Sequence, residues 1–317
     1  MTDMYIASCE KTGGIYHYRK DGDTFIEKQF YPADRPMYME IKDNRLFAVL
    51  RDPGDRGEGG IVSFTLDNEG NLTDQSDFIY TKGVGVCHLA VTDAGIFAAN
   101  YLSGSVFRTP DLLVTHKGKG VNPKRQEGAH THCTVPTPDG RYICVADLGL
   151  DKIFVYDMHL NPVSFVKLPD GAGPRHVVFS EDGRFMYCIT ELSSQVFSFT
   201  YLNGRLEFEA SIDALPKDFT GENTAAAIRI SGEYLYISNR GHDSIIVFKL
   251  NGGEMTHLAT VSCGGRGPRD FNICGDLLVC TNENSDNVTF YKLQNGIPKI
   301  TDFELKIPHP LNVIFKE

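Results

Sequence analysis

Arg184-Phe185-Met186-Tyr187-Cys188-Ile189-Thr190-Glu191 is an apolar, β-rich run that ends on a polar pair, and a second apolar run follows it and closes on Phe199. The chain repeats this pattern seven times. The other copies open at Met4, Arg45, Gly95, Arg141, Glu233 and Asp276, and their second runs close on Tyr18, Phe64, Phe107, Tyr156, Phe248 and Tyr291. Anchored on Glu10, Arg51, Tyr101, Leu148, Glu191, Arg240 and Glu283, the spacings are 41, 50, 47, 43, 49 and 43 residues. A period in the forties built from strand-length pieces marks propeller blades rather than a helical solenoid.

Each copy is preceded by a short segment such as Gly173-Pro174-Arg175-His176-Val177 or Gly267-Pro268-Arg269-Asp270-Phe271, joined to it by a turn. Small residues and Gly-Pro suit the innermost strand, where the ring is narrowest. Turn residues between alternating apolar runs are the hairpin signature. With an outer strand such as Leu206–Glu209 or Met255–Leu258, each blade has four antiparallel strands. The seventh inner segment, His309-Pro310-Leu311-Asn312-Val313, lies at the C-terminus, and the first blade has none of its own. Residues 309–317 are therefore expected to pair into the blade containing residues 4–20, which closes the ring and removes two exposed strand edges. The expectation is an all-β, seven-bladed propeller in one domain, residues 1–317. No amphipathic helical pattern supports an α/β alternative.

Composition narrows the function. The 31 Lys and Arg against 41 Asp and Glu give a net charge of −10, which argues against nucleic acid or an acidic membrane as partner. No apolar run reaches a membrane span, no N-terminal stretch reads as a leader, and the eight cysteines fall in apolar strands without a Cys-x-x-Cys pair. A cytoplasmic protein is expected.

Candidate site residues come from register. The inner strands align Met37, Cys87, His132, Arg175, Thr224, Arg269 and Leu311, and the following strands align the seven anchor residues quoted above. Equivalent positions in different blades converge on the central channel. A scaffold feature would repeat in every blade, yet charge is concentrated in blades four to seven, at His132, Arg175, Glu191, Arg240 and Arg269. That asymmetry points to a site. Asn100, Asp147, Asn239 and Asn282 share a register and read as structural ties between strands. His88 and His176 read as packed channel histidines, and Asp270 reads as a salt-bridge partner for Arg269. His130-Thr131-His132 alternates as metal ligands can, but no third and fourth ligand accompany it, so no metal or cofactor is expected.

Gly173-Pro174-Arg175-His176-Val177-Val178-Phe179, then Asp182-Gly183-Arg184 and Thr190-Glu191-Leu192, resemble the lactonase family of seven-bladed propellers. That family includes propeller-type 6-phosphogluconolactonases and carboxy-muconate lactonizing enzymes. The resemblance covers essentially the whole chain. It implies a site of one histidine, one glutamate and two arginines, which fall on His132 (six residues before Pro138), Glu191, Arg175 and Arg240. It implies a small anionic sugar lactone as substrate, with Arg269 helping to bind its phosphate, and a place in the pentose phosphate pathway. Asp52–Gly60 in the second blade is an insertion relative to the other copies. Two alternatives remain open from sequence: opening or closing a carboxy-muconate-type lactone, and a non-catalytic scaffold. The absence of tryptophan sets the chain apart from Trp-Asp repeat scaffolds.

Overall fold

The computed structural model describes residues 2–55 and 57–316; Arg56, inside the expected insertion, and Glu317, at the end of the expected closing segment, lie outside the described residues. Seven antiparallel sheets follow one another around a ring. In blade five the order from channel to rim is Pro174–Phe179, Phe185–Thr190, Gln195–Leu202 and Arg205–Asp213. Blade two departs from the four-strand plan only at its rim. There two short pieces, Leu72–Thr73 and Ile79–Tyr80, share the edge of Gly60–Leu66.

The ring closes as the sequence requires. Pro310–Lys316 pairs with Asp3–Ser8, with Ile6 opposite Val313 and Met4 opposite Phe315. Asn312 ties this strand to both neighbouring blades: its side chain accepts from the Met39 N–H at 2.9 Å and donates to Asp270 at 2.6 Å.

The seven run-closing aromatics, Tyr18 through Tyr291, are all buried. Each stands opposite an apolar residue of the preceding strand, for example Phe199 opposite Met186 and Tyr291 opposite Leu278. Strand residues alternate faces, so one face of each sheet meets the next blade. Among the described residues seven apolar clusters result, one in each gap between blades. At about 25 cal/mol per Å² of apolar surface removed from water, these gaps are the main stabilising term. The structural reading of the shared polar register also holds. Asn100, Asn239 and Asn282 donate to the carbonyls of Thr81, Ala214 and Cys263, and Asp147 accepts from the His130 and Leu150 N–H groups.

Candidate active site at the channel mouth

A bulge near the start of each inner strand builds the site. In blade five Pro174 pairs with Thr190 and His176 with Ile189, leaving Arg175 without a partner across the ladder. The same one-residue skip releases Met37, Cys87, His132, Arg269 and Leu311. A bulge re-aims the extra side chain away from the sheet, here toward the channel. Just before Arg175, Gly173 adopts φ +66°, where a Cβ would also meet the Leu192 side chain, and its carbonyl accepts from the Glu191 N–H at 2.7 Å. The inner-strand entry and the second-strand exit of a blade are thus locked together.

Two register expectations need correction. In blade six Thr224 still pairs with Arg240 and Ala225 with Asn239, and the bulge follows them: Ala226 and Ala227 stand opposite the single residue Ser238, so the one-residue skip lies later than Thr224. In blade one the exit position is Cys9 rather than Glu10. The Cys9 N–H bonds to the His309 carbonyl at 3.0 Å, as Arg51 does to Arg35 and Glu283 to Gly267.

At the mouth, His132, Glu191, Arg240 and Arg269 line one cavity of about 270 Å³ together with Arg51, Tyr101 and Arg125. Glu191, 4% exposed, is the hub. Its Oε2 accepts from Arg175 Nε at 3.0 Å, meets an Arg240 terminal nitrogen at 2.9 Å and lies 4.0 Å from His132 Nε2; its Oε1 accepts from Arg125. Arg175 reaches it from behind the cavity and also donates to the Ala226 carbonyl at 2.6 Å, filling space the two alanines leave.

Arg125 was not visible from the repeat, because it lies in the loop between blades three and four. That loop is fixed by the buried Gln126, which donates to the Leu148 carbonyl at 2.9 Å and to Asp151 at 2.7 Å. The burial of Gln126 is visible only in the fold, so the repeat carried no signal for Arg125. Charge therefore also enters from blade two and from this loop, not only from blades four to seven. Arg269 pairs with Glu283 at 3.3 Å rather than with Asp270, which is taken by Arg229 at 2.8 Å.

The electrostatics follow from burial and neighbours. Burial pushes the Glu191 carboxyl up, but Arg240, Arg175 and the other cations outweigh it and hold it well below the usual range, so it is ionised. Burial and then the Arg175 charge drive His132 well below its ordinary value, so its imidazole is neutral at pH 7. Burial and the like charge of Arg240 bring Arg175 down to about 10, still protonated. Glu283, although partly desolvated, is held at about 2 by His309 and Arg269. Burial lifts the Cys87 thiol to about 12, against the pull of Arg175, Arg269 and Arg51, so it is no thiolate nucleophile at neutral pH.

His130 and His132 do not converge as ligands: Tyr101 stacks on His130 at 4.5 Å and turns its edge to His132 at 5.5 Å. Among the described residues no group of three or more His, Cys, Asp or Glu is arranged to hold a metal ion. His176 packs edge-on between His132 and His88, each at 5.3 Å, deeper in the channel.

A ring of seven blades with a neutral histidine, an ionised glutamate and several arginines at its mouth defines a class of propeller, and comparison with known proteins places it. Residues 3–315 match the family described as lactonase, 7-bladed beta-propeller, and the chain belongs to that family. It is 31% identical to the 6-phosphogluconolactonase of Bacillus subtilis, covering 98% of this chain and 97% of that one. A solved structure from Lactobacillus plantarum superposes with a TM-score of 0.91 at 30% identity over the full length of both chains. The periplasmic gluconolactonase of Pseudomonas aeruginosa does so with a TM-score of 0.88 at 28% identity, covering 99% of this chain and 98% of that one.

Proposed function

We propose that this chain hydrolyses 6-phospho-D-glucono-1,5-lactone to 6-phosphogluconate at the channel mouth, without a metal. The observation that carries this reading is the local charge. Five arginines (51, 125, 175, 240 and 269) face two carboxylates, Glu191 and Glu283, so 5 − 2 leaves three positive charges in a chain of net −10. The phosphorylated lactone carries two negative charges, and its tetrahedral intermediate and open product carry three. The third positive charge finds its partner only as the reaction proceeds, which is the arrangement that lowers a barrier. An unphosphorylated lactone would leave two of the three unmatched.

The roles follow from the protonation states. Neutral His132 takes a proton from water as the water attacks the lactone carbonyl carbon. Arg240 stabilises the oxyanion, and Arg175, behind the cavity, holds Glu191 in place. When the carbonyl carbon to ring oxygen bond breaks, the imidazolium returns its proton to the departing alkoxide. Glu191 has both carboxylate oxygens taken by three guanidiniums, so it does not activate the water. It keeps the arginines in place and offsets the transient charge on His132. The cytoplasm suits the cysteines, since among the described residues no two are joined in a disulfide. Among the described residues no helix is long and apolar enough to cross a membrane.

The test is proton release followed by pH-stat, with spontaneous opening subtracted, on the phosphorylated lactone, D-glucono-1,5-lactone and a carboxy-muconate lactone. The proposal expects the highest kcat/KM on the first. Preference for the third would transfer the same residues to diacid chemistry, and no rate on any would refute the hydrolase reading.

A further inference from the structure

We propose that Arg51 is the residue that selects a phosphorylated substrate, by binding the phosphate at the end of the sugar acid remote from the lactone carbonyl. This rests on the lactonase reading above and assigns a role within it.

Arg125, Arg175 and Arg240 share Glu191, and Arg269 has Glu283. Arg51 lines the same cavity, is exposed, and makes no side-chain ion pair among the described residues. Three acids around the loop that follows it are already engaged. Asp55 pairs with Arg35 at 2.7 Å and with Lys11, Asp34 accepts from the Gly54 N–H at 2.8 Å, and Asp52 accepts from the Gly57 N–H at 2.7 Å. These same contacts pin the loop that follows Arg51, and the Arg51 N–H is held by the Arg35 carbonyl at 3.0 Å. A fixed backbone thus presents an unpartnered guanidinium to the cavity, a geometry suited to two-pronged recognition of phosphate.

Position supplies the second argument. Arg51 leaves blade two, whereas Glu191 leaves blade five and Arg240 leaves blade six, each three blades away around a ring of seven. These positions face one another across the mouth. A six-carbon sugar acid with its lactone carbonyl at carbon one and phosphate on carbon six has its two recognisable groups at opposite ends. With carbon one at His132 and Arg240, the phosphate is directed to the blade-two side. Arg269, half-buried and committed to Glu283, is less suited to that role than sequence alone suggested.

The test compares the parent with Arg51→Gln and Arg51→Lys on the phosphorylated and unphosphorylated gluconolactones. Losing one charge-assisted contact should raise KM for the phosphorylated lactone about tenfold to a hundredfold, with a much smaller change in kcat. KM for the unphosphorylated lactone should move by less than about twofold, and Arg51→Lys should recover part of the loss. Calorimetric titration with inorganic phosphate gives a readout independent of turnover, and binding should weaken in Arg51→Gln. If the parent opens the phosphorylated lactone but both KM values rise alike, or neither rises, the role of Arg51 is refuted and the lactonase reading stands. If the parent opens neither lactone yet loses phosphate binding on substitution, Arg51 remains an anion site and the lactonase reading falls. Unchanged phosphate binding in Arg51→Gln overturns the assignment in either case.

Discussion

Replacing Glu191 by Gln should destabilise the protein far more than its place at a channel mouth suggests. The change keeps the shape and deletes one charge, leaving Arg175 and Arg240, formerly at 3.0 and 2.9 Å from its Oε2, and Arg125 without their shared carboxylate. Arg175 is 2% exposed, so water cannot replace the partner. Breaking a buried ion pair from one side costs about 3–5 kcal/mol. At about 2.1 cal/mol/K per residue each kcal/mol is worth about 1.5 °C in a chain this long, so Tm should fall by about 4–8 °C. Inorganic phosphate should restore much of this loss, because an anion can re-enter the cluster. The pH dependence has a definite sign. The folded-state pKa of Glu191 lies below its unfolded value, so its stabilisation is fully present above the ordinary carboxylate pKa of about 4.3 and is lost as pH falls toward the folded value. The Tm gap between parent and variant should therefore be constant from pH 5 to 8 and narrow below pH 4. Thermal melts followed by circular dichroism across this range, with and without phosphate, are sufficient. A variant that melts within 2 °C of the parent and ignores phosphate would refute the hub.

Other outcomes are equally definite. Deleting residues 310–317 should abolish soluble, cooperatively melting protein, because the Asp3–Ser8 edge is exposed and Met39 and Asp270 lose Asn312; expression with size exclusion and a melt would check this. Lactonase activity should survive exhaustive chelation, and activity lost to chelator and restored by a divalent ion would contradict the proposed chemistry.

Much of the architecture could be read from the chain because every blade repeats the same burial problem. The seven aromatics from Tyr18 to Tyr291 mark the third strands, and their register against the second strands needs no knowledge of the site. The closing strand was legible because one inner segment was missing at the N-terminus and present at the C-terminus. What failed depended on local insertions. Spacing cannot locate a one-residue bulge within its strand, so Thr224 took the place that belongs to Ala226 and Ala227, and Glu10 took that of Cys9. Arg125 lies on a loop outside the repeat, where periodicity carries no information. Arg51 stood at the right register, but its freedom from any acid could be seen only once Lys11, Arg35 and the backbone had engaged the acids around it. How deeply the converging side chains are buried was a further point that register left open. His132, Arg175 and Glu191 prove to be buried, which ties the site to the stability of the fold.

The measurement closest to the central claim is kcat on 6-phospho-D-glucono-1,5-lactone for the parent, His132→Ala and a Thr224→Ala control, corrected for spontaneous opening. The Thr224 backbone carbonyl, which accepts from Arg240 Nε at 3.3 Å, survives its substitution, so that variant should turn over like the parent. Loss of the base in His132→Ala should lower kcat about 10²–10⁴-fold. A His132→Ala protein that is folded and opens the lactone as fast as the parent would contradict the account.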